Sequence, residues 1–384
     1  MAGFREVALV EDCEVRGNAF GICGADVVRD SRIENNSSGG LYVTRPSLAT
    51  RCLIARNGDS GILCQGAGAS PAIVAASTIV SNASAAECYG NLHLRLEDCR
   101  MAGNGGGSGA GMGFIEHVRC TIEGNGRVGS TSLGALDYNS CLIRGNRGPA
   151  FTAVKGGIRL NNCTIVDNGP NPTNGPTLFH GGYNGWIQIR NCIAWNNGTN
   201  LYTHEFHEPS VFSGDYSLIQ YSSTLYALGE GSLDEDPQFV SATNFHLRPT
   251  SPALGAGNPP YAPAGGDIEG NAWDSPPSMG AYAFRGAASS STESEPAWSI
   301  SSFQATSGTA DSSAGKPRSA LQIGWNALPN RTYSLLRSTN LLLGFQPART
   351  IESGAGGPFT WEIDVDDLLG PAVFYRIETS PASE

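Results

Sequence analysis

The residues best suited to chemistry lie in the run THEFHE at 203–208 and in the stretch just before it. Imidazoles and carboxylates close together can act as general acid and base, and two histidines can bind a metal ion. The run differs from the HExxH zinc motif, whose histidines lie four residues apart on a helix. The catalytic candidates are His180, His204, Glu205, His207 and Glu208, and the metal candidates are His204 and His207.

Aromatic and basic residues near this run suggest contact with a carbohydrate. Tyr183, Trp186 and Trp195 offer flat rings on which a sugar can stack, so they are the ligand-binding candidates. Lys155 and Arg159 could serve as base and acid in a lyase. The alternative is a solvated polar loop packed by aromatic residues, with a basic pair that arises by chance. No cofactor motif is visible, and we expect no cofactor.

A six-residue phrase recurs at a mean spacing of about 22.7 residues through the first 220 residues, which is typical of a repeat architecture. It begins as CEVRGN at 13 and ends as a degenerate SLIQYS at 217. Positions one and three are small or aliphatic and share one face of a strand, so that face is predicted to be buried. The ten copies start at residues 13, 31, 52, 77, 99, 120, 141, 163, 192 and 217.

The other columns of the phrase predict how successive copies stack. Position six is Asn in nine copies, and Asn tolerates a left-handed turn and can hydrogen-bond to the next layer. Stacking also places Arg16 opposite Glu34 and Glu123 opposite Arg144 on a solvated face. Two or three short strands per repeat leave no room for helices. The pattern predicts a parallel β-helix of about ten coils.

Seven of the ten cysteines occupy the first column, where Ser31, Ser77 and Ser217 replace them. This interchange indicates a small inward group, so we expect a column of free thiols. Parallel Cβ vectors on in-register strands would give a strained disulfide. Cys23, Cys64 and Cys88 on the following strand are also predicted to be buried.

The CxIxxN phrase resembles the coil repeat of right-handed parallel β-helix proteins with the pectin-lyase-like fold, over residues 1 to about 225. The resemblance implies right-handed winding, and many such proteins are polysaccharide lyases or glycoside hydrolases that act in a groove along the coils. The acidic, histidine and arginine sets of polygalacturonases and the calcium cluster of pectate lyases are not found in this sequence. Catalysis therefore has only weak support from the motifs.

The coils that start at 163 and 192 exceed the usual length of about 21 residues and point to a functional site. They have 29 and 25 residues, so they are predicted to extrude loops at 169–185 and 198–213. Loops on a rigid scaffold are where function commonly resides. These loops contain most of the candidate residues above.

The pattern changes after the last coil. We divide the chain into a β-helix at 1–233, a cap at 234–285, a linker at 286–297 and a small β-sandwich at 298–384, so the fold class is all-β. An open helix end exposes apolar core, so the cap is expected to close it. DPQF, FHLRPTSPA, DIEG and MGAYAF resemble the tail of choice-of-anchor Q type proteins. IGWNALPNRTYSLLRSTNL and FYRIE resemble immunoglobulin-like modules of large secreted bacterial proteins.

Composition limits the possible partners and location. Net charge is −11 and no basic stripe is present, so nucleic acid is not an expected partner. No apolar run is long enough for a transmembrane helix. No signal peptide is visible, and the resemblances favour an extracellular or cell-surface protein whose signal lies outside this chain.

These observations favour a glycan-binding or structural display scaffold that is a monomer. The alternative is a polysaccharide-degrading enzyme, a lyase or glycoside hydrolase, that uses the two long loops. A purely structural spacer is the third hypothesis.

Overall fold

The computed structural model describes residues 2–66, 68, 70–148, 150–169, 178–198, 201–204, 211–220 and 229–285. At Ala2, at 202–204 and in six strands between 300 and 381 it describes the backbone alone. The chain divides into two compact units, Met1–Ala288 and Ser289–Glu384. The first unit carries all the sites discussed below.

Three ten-stranded parallel sheets form the first unit, and each coil contributes one strand to each sheet. Sheet A contains β1 (Ala2–Arg5), β4 (Phe20–Cys23), β7 (Leu41–Val43), β10 (Ser60–Cys64), β13 (Ser84–Cys88), β16 (Gly106–Ala110), β19 (Gly129–Thr131), β22 (Phe151–Ala153), β25 (Phe179–Gly181) and β28 (Tyr202–His204). Sheet B contains β2 (Leu9–Glu11), β5 (Val27–Arg29), β8 (Leu48–Thr50), β11 (Ala72–Ala75), β14 (His93–Glu97), β17 (Phe114–Val118), β20 (Ala135–Asn139), β23 (Gly157–Asn161), β26 (Trp186–Arg190) and β29 (Val211–Asp215). Sheet C contains β3 (Glu14–Arg16), β6 (Arg32–Glu34), β9 (Leu53–Ala55), β12 (Thr78–Val80), β15 (Arg100–Ala102), β18 (Thr121–Glu123), β21 (Leu142–Arg144), β24 (Thr164–Val166), β27 (Ile193–Trp195) and β30 (Leu218–Ile219).

The predicted inward and outward columns are confirmed in sheet C. The third residue of the phrase points inward, and Ile54, Ile79 and Ile122 are fully buried. In register, Glu123 lies opposite Arg144, and their side chains form an ion pair of 2.6 Å. Because each coil repeats this alternation, the inward residues stack into one continuous core.

The asparagine column is also present at the turn from sheet C to sheet A. Asn57 Nδ2 donates to Asn82 Oδ1 at 2.9 Å and to the Ile33 carbonyl at 3.1 Å. The same side-chain bond links successive coils, so the polar turn is buried with its hydrogen bonds satisfied. The buried members are Asn36, Asn57, Asn82, Asn104, Asn125, Asn146, Asn168 and Asn197.

All ten cysteines are free thiols, as expected from their exchange with serine. In the first column, Cys99 Sγ donates to the Val74 carbonyl at 3.3 Å, and Ser77 Oγ donates to the Ala75 carbonyl at 2.7 Å. A thiol and a hydroxyl can therefore fill the same site. The prediction of burial fails for Cys23, which is half-exposed because it faces outward on sheet A beside Tyr42.

Residues 234–285, here called the cover segment, differ from the expected end cap. They are mostly irregular, with a 3₁₀ turn at Pro259–Tyr261, and they run back along the outer face of sheet C. Phe245 packs on Leu142 and Val166, whereas Met279 packs on Ile193 and Leu218. The outer face of the last sheet C strands is apolar, so the segment covers that face.

In the described residues of the second unit, six antiparallel strands form two three-stranded sheets. One sheet has the order β31 (Ile300–Ser307), β32 (Ser319–Ala327), β35 (Gly357–Asp364), and the other has β34 (Gln346–Glu352), β33 (Arg331–Ser338), β36 (Phe374–Pro381). A small β-sandwich is predicted from the sequence at 298–384. The packing of the six strands as a sandwich stays a prediction, and the linker at 286–297 lies outside the described residues.

Candidate ligand-binding groove

A groove of about 490 Å³ follows the corner where the chain passes from sheet A to sheet B. It crosses the starts of β14, β17, β20, β23 and β26, which lie side by side in sheet B. This volume lies within the usual range for small-ligand sites. We call it the corner groove, and its outer sheet B column is His93, Phe114, Ala135, Gly157 and Trp186.

The floor of the corner groove is glycine backbone. A Cβ on Gly134 would lie 2.2 Å from the Gly113 carbonyl oxygen, and one on Gly156 would lie 2.0 Å from the Gly134 carbonyl oxygen. Successive coils approach so closely here that a side chain does not fit. At these two positions the floor of the groove is therefore formed by backbone alone.

The rim of the groove exposes apolar side chains on consecutive coils. Met112 and Leu133 are each 61% exposed, and Lys155 and Tyr183 follow them in the next two coils. Lys155 Nζ lies 5.7 Å from the centre of the Tyr183 ring. Tyr183 has a φ of +44°, which is an outlier for an aromatic residue. Exposed apolar groups and a strained residue together are typical of a binding surface.

Trp186 forms the aromatic platform of the groove. A Cβ on Gly157 would lie 2.0 Å from Trp186 Cζ2 and 2.1 Å from Cε2, so the indole lies directly against the Gly157 backbone. The Arg159 guanidinium is 5.5 Å from the ring centre. The ring is thus supported from beneath by backbone and held at its side by a cation.

His93 and Phe114 stand at the opposite end of the same column. Their ring centres are 4.5 Å apart, and His93 Nε2 lies 3.5 Å from Glu116 Oε2. Desolvation lowers the pKa of His93, while the Glu116 carboxylate acts in the opposite sense. A neutral imidazole that can accept or donate a proton is therefore available at neutral pH.

A charged ladder lies beside the groove on sheet B. Arg95, Glu116, Asp137 and Arg159 are in register on four consecutive strands. Arg95 pairs with Glu116 at 2.8 Å, and Arg159 pairs with Asp137 at 3.0 Å. Desolvation raises the pKa of Asp137 although Arg159 opposes the shift. Of these two neighbouring carboxyl groups, Asp137 with its raised pKa can act as the acid and Glu116 as the base.

The structure brings together only part of the predicted site. Tyr183, Trp186, Lys155 and Arg159 lie at the corner groove. His180 lies on the outer face of sheet A between Thr152 and Thr203, and Trp195 lies on sheet C against the cover segment. Ligand binding by Trp195 and catalysis by His180 stay predictions, on separate faces of the solenoid.

The histidine and glutamate run remains a prediction. Glu205, His207 and Glu208 lie outside the described residues, as does the side chain of His204. The residues that flank the run are described: the backbone of His204 pairs with Gly181, and Val211 pairs with Trp186. In the described part of the chain, no three His, Cys, Asp or Glu side chains are grouped to hold a metal ion.

Two groove residues, Met112 and Phe114, and two residues of the charged ladder beside the groove, Glu116 and Asp137, were not candidates from the sequence. Nor was His93, which also lines the groove, a candidate from the sequence. These residues lie in or next to the strand that precedes each coil phrase, as in LHLRLED, GIRLNN and WIQIRN. An alignment of these strands could have identified them. Aligning these strands places His93, Phe114 and Trp186 in one outward column.

Residues 2–126 match a protein-family model described as "Right handed beta helix region". Together with the three stacked parallel sheets, this match supports a repeat protein with the parallel β-helix fold. In this β-helix the corner groove extends beyond the matched residues, because Ala135, Gly157 and Trp186 follow residue 126. No curated protein matches the sequence significantly. None of the helical turns in the described residues has the length and hydrophobicity needed to cross a bilayer.

Proposed function

We propose that this β-helix protein binds glycan in the corner groove. The observation that carries the proposal is the Trp186 indole lying against Gly157, beside an open glycine floor. Pyranose rings have apolar C–H faces that stack on such a platform, while their hydroxyl groups can bond to backbone and to Lys155. The groove runs across successive coils, so it suits a chain of sugar units better than a single compact ligand.

The proposal includes an extracellular or cell-surface setting and a monomeric protein. The extracellular setting is supported by the resemblance of 234–285 and 298–384 to segments of secreted bacterial proteins. Fractionation of the source cells with antibody detection tests the location. Light scattering tests the monomeric state.

The binding test is a panel of neutral and acidic polysaccharides examined by affinity electrophoresis and calorimetry. Trp186→Ala should weaken binding about tenfold or more, whereas Trp186→Phe should retain most of it because an aromatic face remains. Trp195→Ala provides the matched tryptophan control on sheet C. If Trp195→Ala alone loses affinity, the binding site lies on sheet C. If the protein binds no member of the panel, the hypothesis of a purely structural spacer is favoured.

A second candidate function, polysaccharide cleavage, is favoured by the neighbouring Glu116 and Asp137. In hydrolysis, Asp137 would protonate the glycosidic oxygen as it leaves, and Glu116 would take a proton from the attacking water. Both carboxylates already pair with arginines, which favours a structural role. Assays for new reducing ends and for unsaturated uronate absorbance test this alternative. If the wild type releases product and both Asp137→Asn and Glu116→Gln do not, the protein is an enzyme, and the proposal that it only binds glycan is wrong.

A further inference from the structure

The corner groove changes character along its length. Part of it is lined by aliphatic and aromatic side chains of two neighbouring coils, and the following coils offer a lysine, glycine backbone and an indole. We call the first set the apolar half: Met112, Phe114, Leu133 and Ala135. The second set is the polar half: Lys155, Gly157 and Trp186. Asn91 and His93 line the end beyond Phe114. A ligand that fills the groove must therefore match two kinds of surface.

The apolar half continues along the rim as a strip of exposed side chains. Tyr89, Met112 and Leu133 each directly precede a corner glycine, and these glycines stack on one another in consecutive coils. The three side chains therefore occupy equivalent positions, and they are 48%, 61% and 61% exposed. Lys155 holds the equivalent position in the next coil, so the strip ends at a charge where the polar half begins.

Exposure of this kind is concentrated at the corner. The described residues include eight exposed large hydrophobic side chains, and four of them lie here: Tyr89, Met112, Leu133 and Tyr183. The turn does not require apolar residues, because Lys155 and Asn184 precede the corner glycines of the next two coils. Single exposed apolar residues are normal, whereas a contiguous group indicates a contact surface.

The shape of this surface favours an alkyl chain over a protein partner. Stable protein interfaces bury about 800 Å² on each side, whereas the strip is only a few side chains wide. On sheet A its border is Glu87, which hydrogen-bonds to Tyr89. On sheet B its border is the ion pair of Arg95 and Glu116. An alkyl chain is equally narrow, has no polar group to satisfy, and gains free energy with each methylene group that leaves water.

We infer that the corner groove binds a glycolipid-type amphiphile, with its sugar head on Trp186 beside Lys155 and its alkyl or acyl chain along the apolar half. The inference rests on the proposed glycan function and names the class of glycan. The two parts of such a ligand are covalently joined, so binding of the head raises the effective concentration of the chain at the neighbouring surface. A free sugar would leave Met112 and Leu133 in water, and a free alkyl chain would leave the polar half empty.

The test compares ligands that differ only in the chain. Ligand-observed NMR titration measures octyl β-glucoside and octyl β-galactoside against the corresponding methyl glycosides, below the critical micelle concentration. At least one octyl glycoside should bind about fiftyfold more tightly than its methyl counterpart, which is the gain expected from burial of about three methylene groups. Octylphosphocholine, which has the same chain without a sugar, should bind more weakly than that glycoside.

Serine variants of the strip locate the chain. Leu133→Ser and Met112→Ser should each reduce the octyl advantage about tenfold and leave binding of the methyl glycoside unaffected. Leu48→Ser is the matched control, because Leu48 is an exposed leucine of sheet B outside the groove, so this variant should bind like the wild type. Trp186→Ala should weaken octyl and methyl glycosides alike, because it removes the platform for the sugar. All four variants are first checked for the wild-type melting temperature.

Each alternative outcome overturns the inference in a different way. If polysaccharides bind but octyl and methyl glycosides bind equally, glycan binding stands and the amphiphile is excluded. If octylphosphocholine binds as tightly as the octyl glycosides, the groove recognises the chain alone. If the octyl advantage persists in both Leu133→Ser and Met112→Ser, the chain lies elsewhere. If neither the polysaccharides nor the glycosides bind, the proposed function fails together with the inference.

Discussion

At the residue scale, the corner groove depends on the contact between the Trp186 ring and the Gly157 backbone. Gly157→Ala adds one methyl group where only 2.0 Å separates the Cβ position from Trp186 Cζ2. The ring must swing away from the sheet, so we expect glycan affinity to fall about tenfold while the fold is retained, since the methyl points outward.

Gly106→Ala is the control for this change. Its Cβ would meet the Ser84 Cβ at 3.6 Å, an ordinary contact on sheet A, so binding and melting temperature should both match the wild type. Calorimetry with the tightest polysaccharide of the panel measures the difference. Wild-type affinity in Gly157→Ala would show that the ring position is not important for binding.

A second residue-scale prediction concerns His117, which is fully buried inside the solenoid. Its Nδ1 donates to the Asp137 carbonyl at 3.1 Å, so Nε2 accepts from the Ser108 hydroxyl at 2.8 Å. The ring also stacks on Tyr138 with centres 4.2 Å apart. These contacts hold a neutral imidazole, and burial lowers the pKa of His117 to about 4.

The lowered pKa of His117 predicts acid sensitivity. Above pH 6.5 the ring is neutral in both folded and unfolded chains, so it adds no pH dependence. Between pH 6.5 and about 4 only the unfolded chain gains the proton, so the free energy of unfolding should fall by about 3 kcal/mol in total. Urea denaturation at several pH values measures this. His117→Gln should lose less stability over the same range, and parallel curves would refute the assignment.

At the element scale, the asparagine column joins one coil to the next. Asn125 Oδ1 accepts from the backbone nitrogen and from Nδ2 of Asn104, and its own Nδ2 donates to the Met101 carbonyl and to Asn146 Oδ1. Asn125→Ala leaves buried groups of two neighbouring coils without partners. We expect a loss of about 2 to 4 kcal/mol in the free energy of unfolding.

Asn18→Ala is the comparison for this variant, because Asn18 begins the column in the first coil and is only half-buried. Water can replace its lost bonds, so its effect should be under about 1 kcal/mol. Chemical denaturation of both variants decides the point. Equal losses would mean that the column contributes through the turn backbone rather than through buried hydrogen bonds.

The thiol column is a second element whose chemistry can be tested. Desolvation raises the pKa of Cys52, and contact with Cys120 together with desolvation raises that of Cys99. Such thiols are poor nucleophiles and are also inaccessible. Iodoacetamide at mildly alkaline pH should therefore label the half-buried Cys13 and Cys23 first, with the other cysteines protected until the protein unfolds.

Peptide mass spectrometry after timed labelling measures this order. Labelling in urea is the control that all ten cysteines can react. Disulfide-linked peptides from fresh protein, or equal labelling rates in the native state, would contradict a column of buried free thiols.

Sheet C and its turn could be predicted from the sequence, since one phrase carries both the inward isoleucine and the turn asparagine. Phe114 and Asp137 could not be found in the same way, because outward residues vary between coils and only the three-dimensional register shows which of them meet. The contact of Trp186 with Gly157 was also hidden, since the two residues are 29 positions apart. A long coil inserted between them obscures the fact that they are neighbours on adjacent strands.

At the scale of the whole molecule, the solenoid has two kinds of outer surface. Sheet B remains accessible at the corner groove, whereas the last strands of sheet C are covered by residues 234–285. Polar residues at the corner from sheet B to sheet C attach the cover segment: Asn162 donates to the Ser278 carbonyl at 3.1 Å, and Asn191 donates to the Asn258 carbonyl at 3.0 Å. Residues 242–245 of the cover segment also form one wall of a groove of about 740 Å³, and Arg100 and Arg144 lie on its other wall.

Met279→Ala tests whether the cover segment and the last coils form one cooperative unit. Met279 is fully buried with Ile193 and Leu218, so its truncation should cost about 2 to 4 kcal/mol. Because each coil of a solenoid contacts only its neighbours, the loss should remain near the C-terminal coils. Hydrogen exchange should accelerate in 229–285 and in the strands from Ile193 to Ile219, while the strands from Phe20 to Ala110 keep their protection. Uniform acceleration along the solenoid would mean instead that the first unit unfolds as a single cooperative body, with the cover segment stabilising all of its coils.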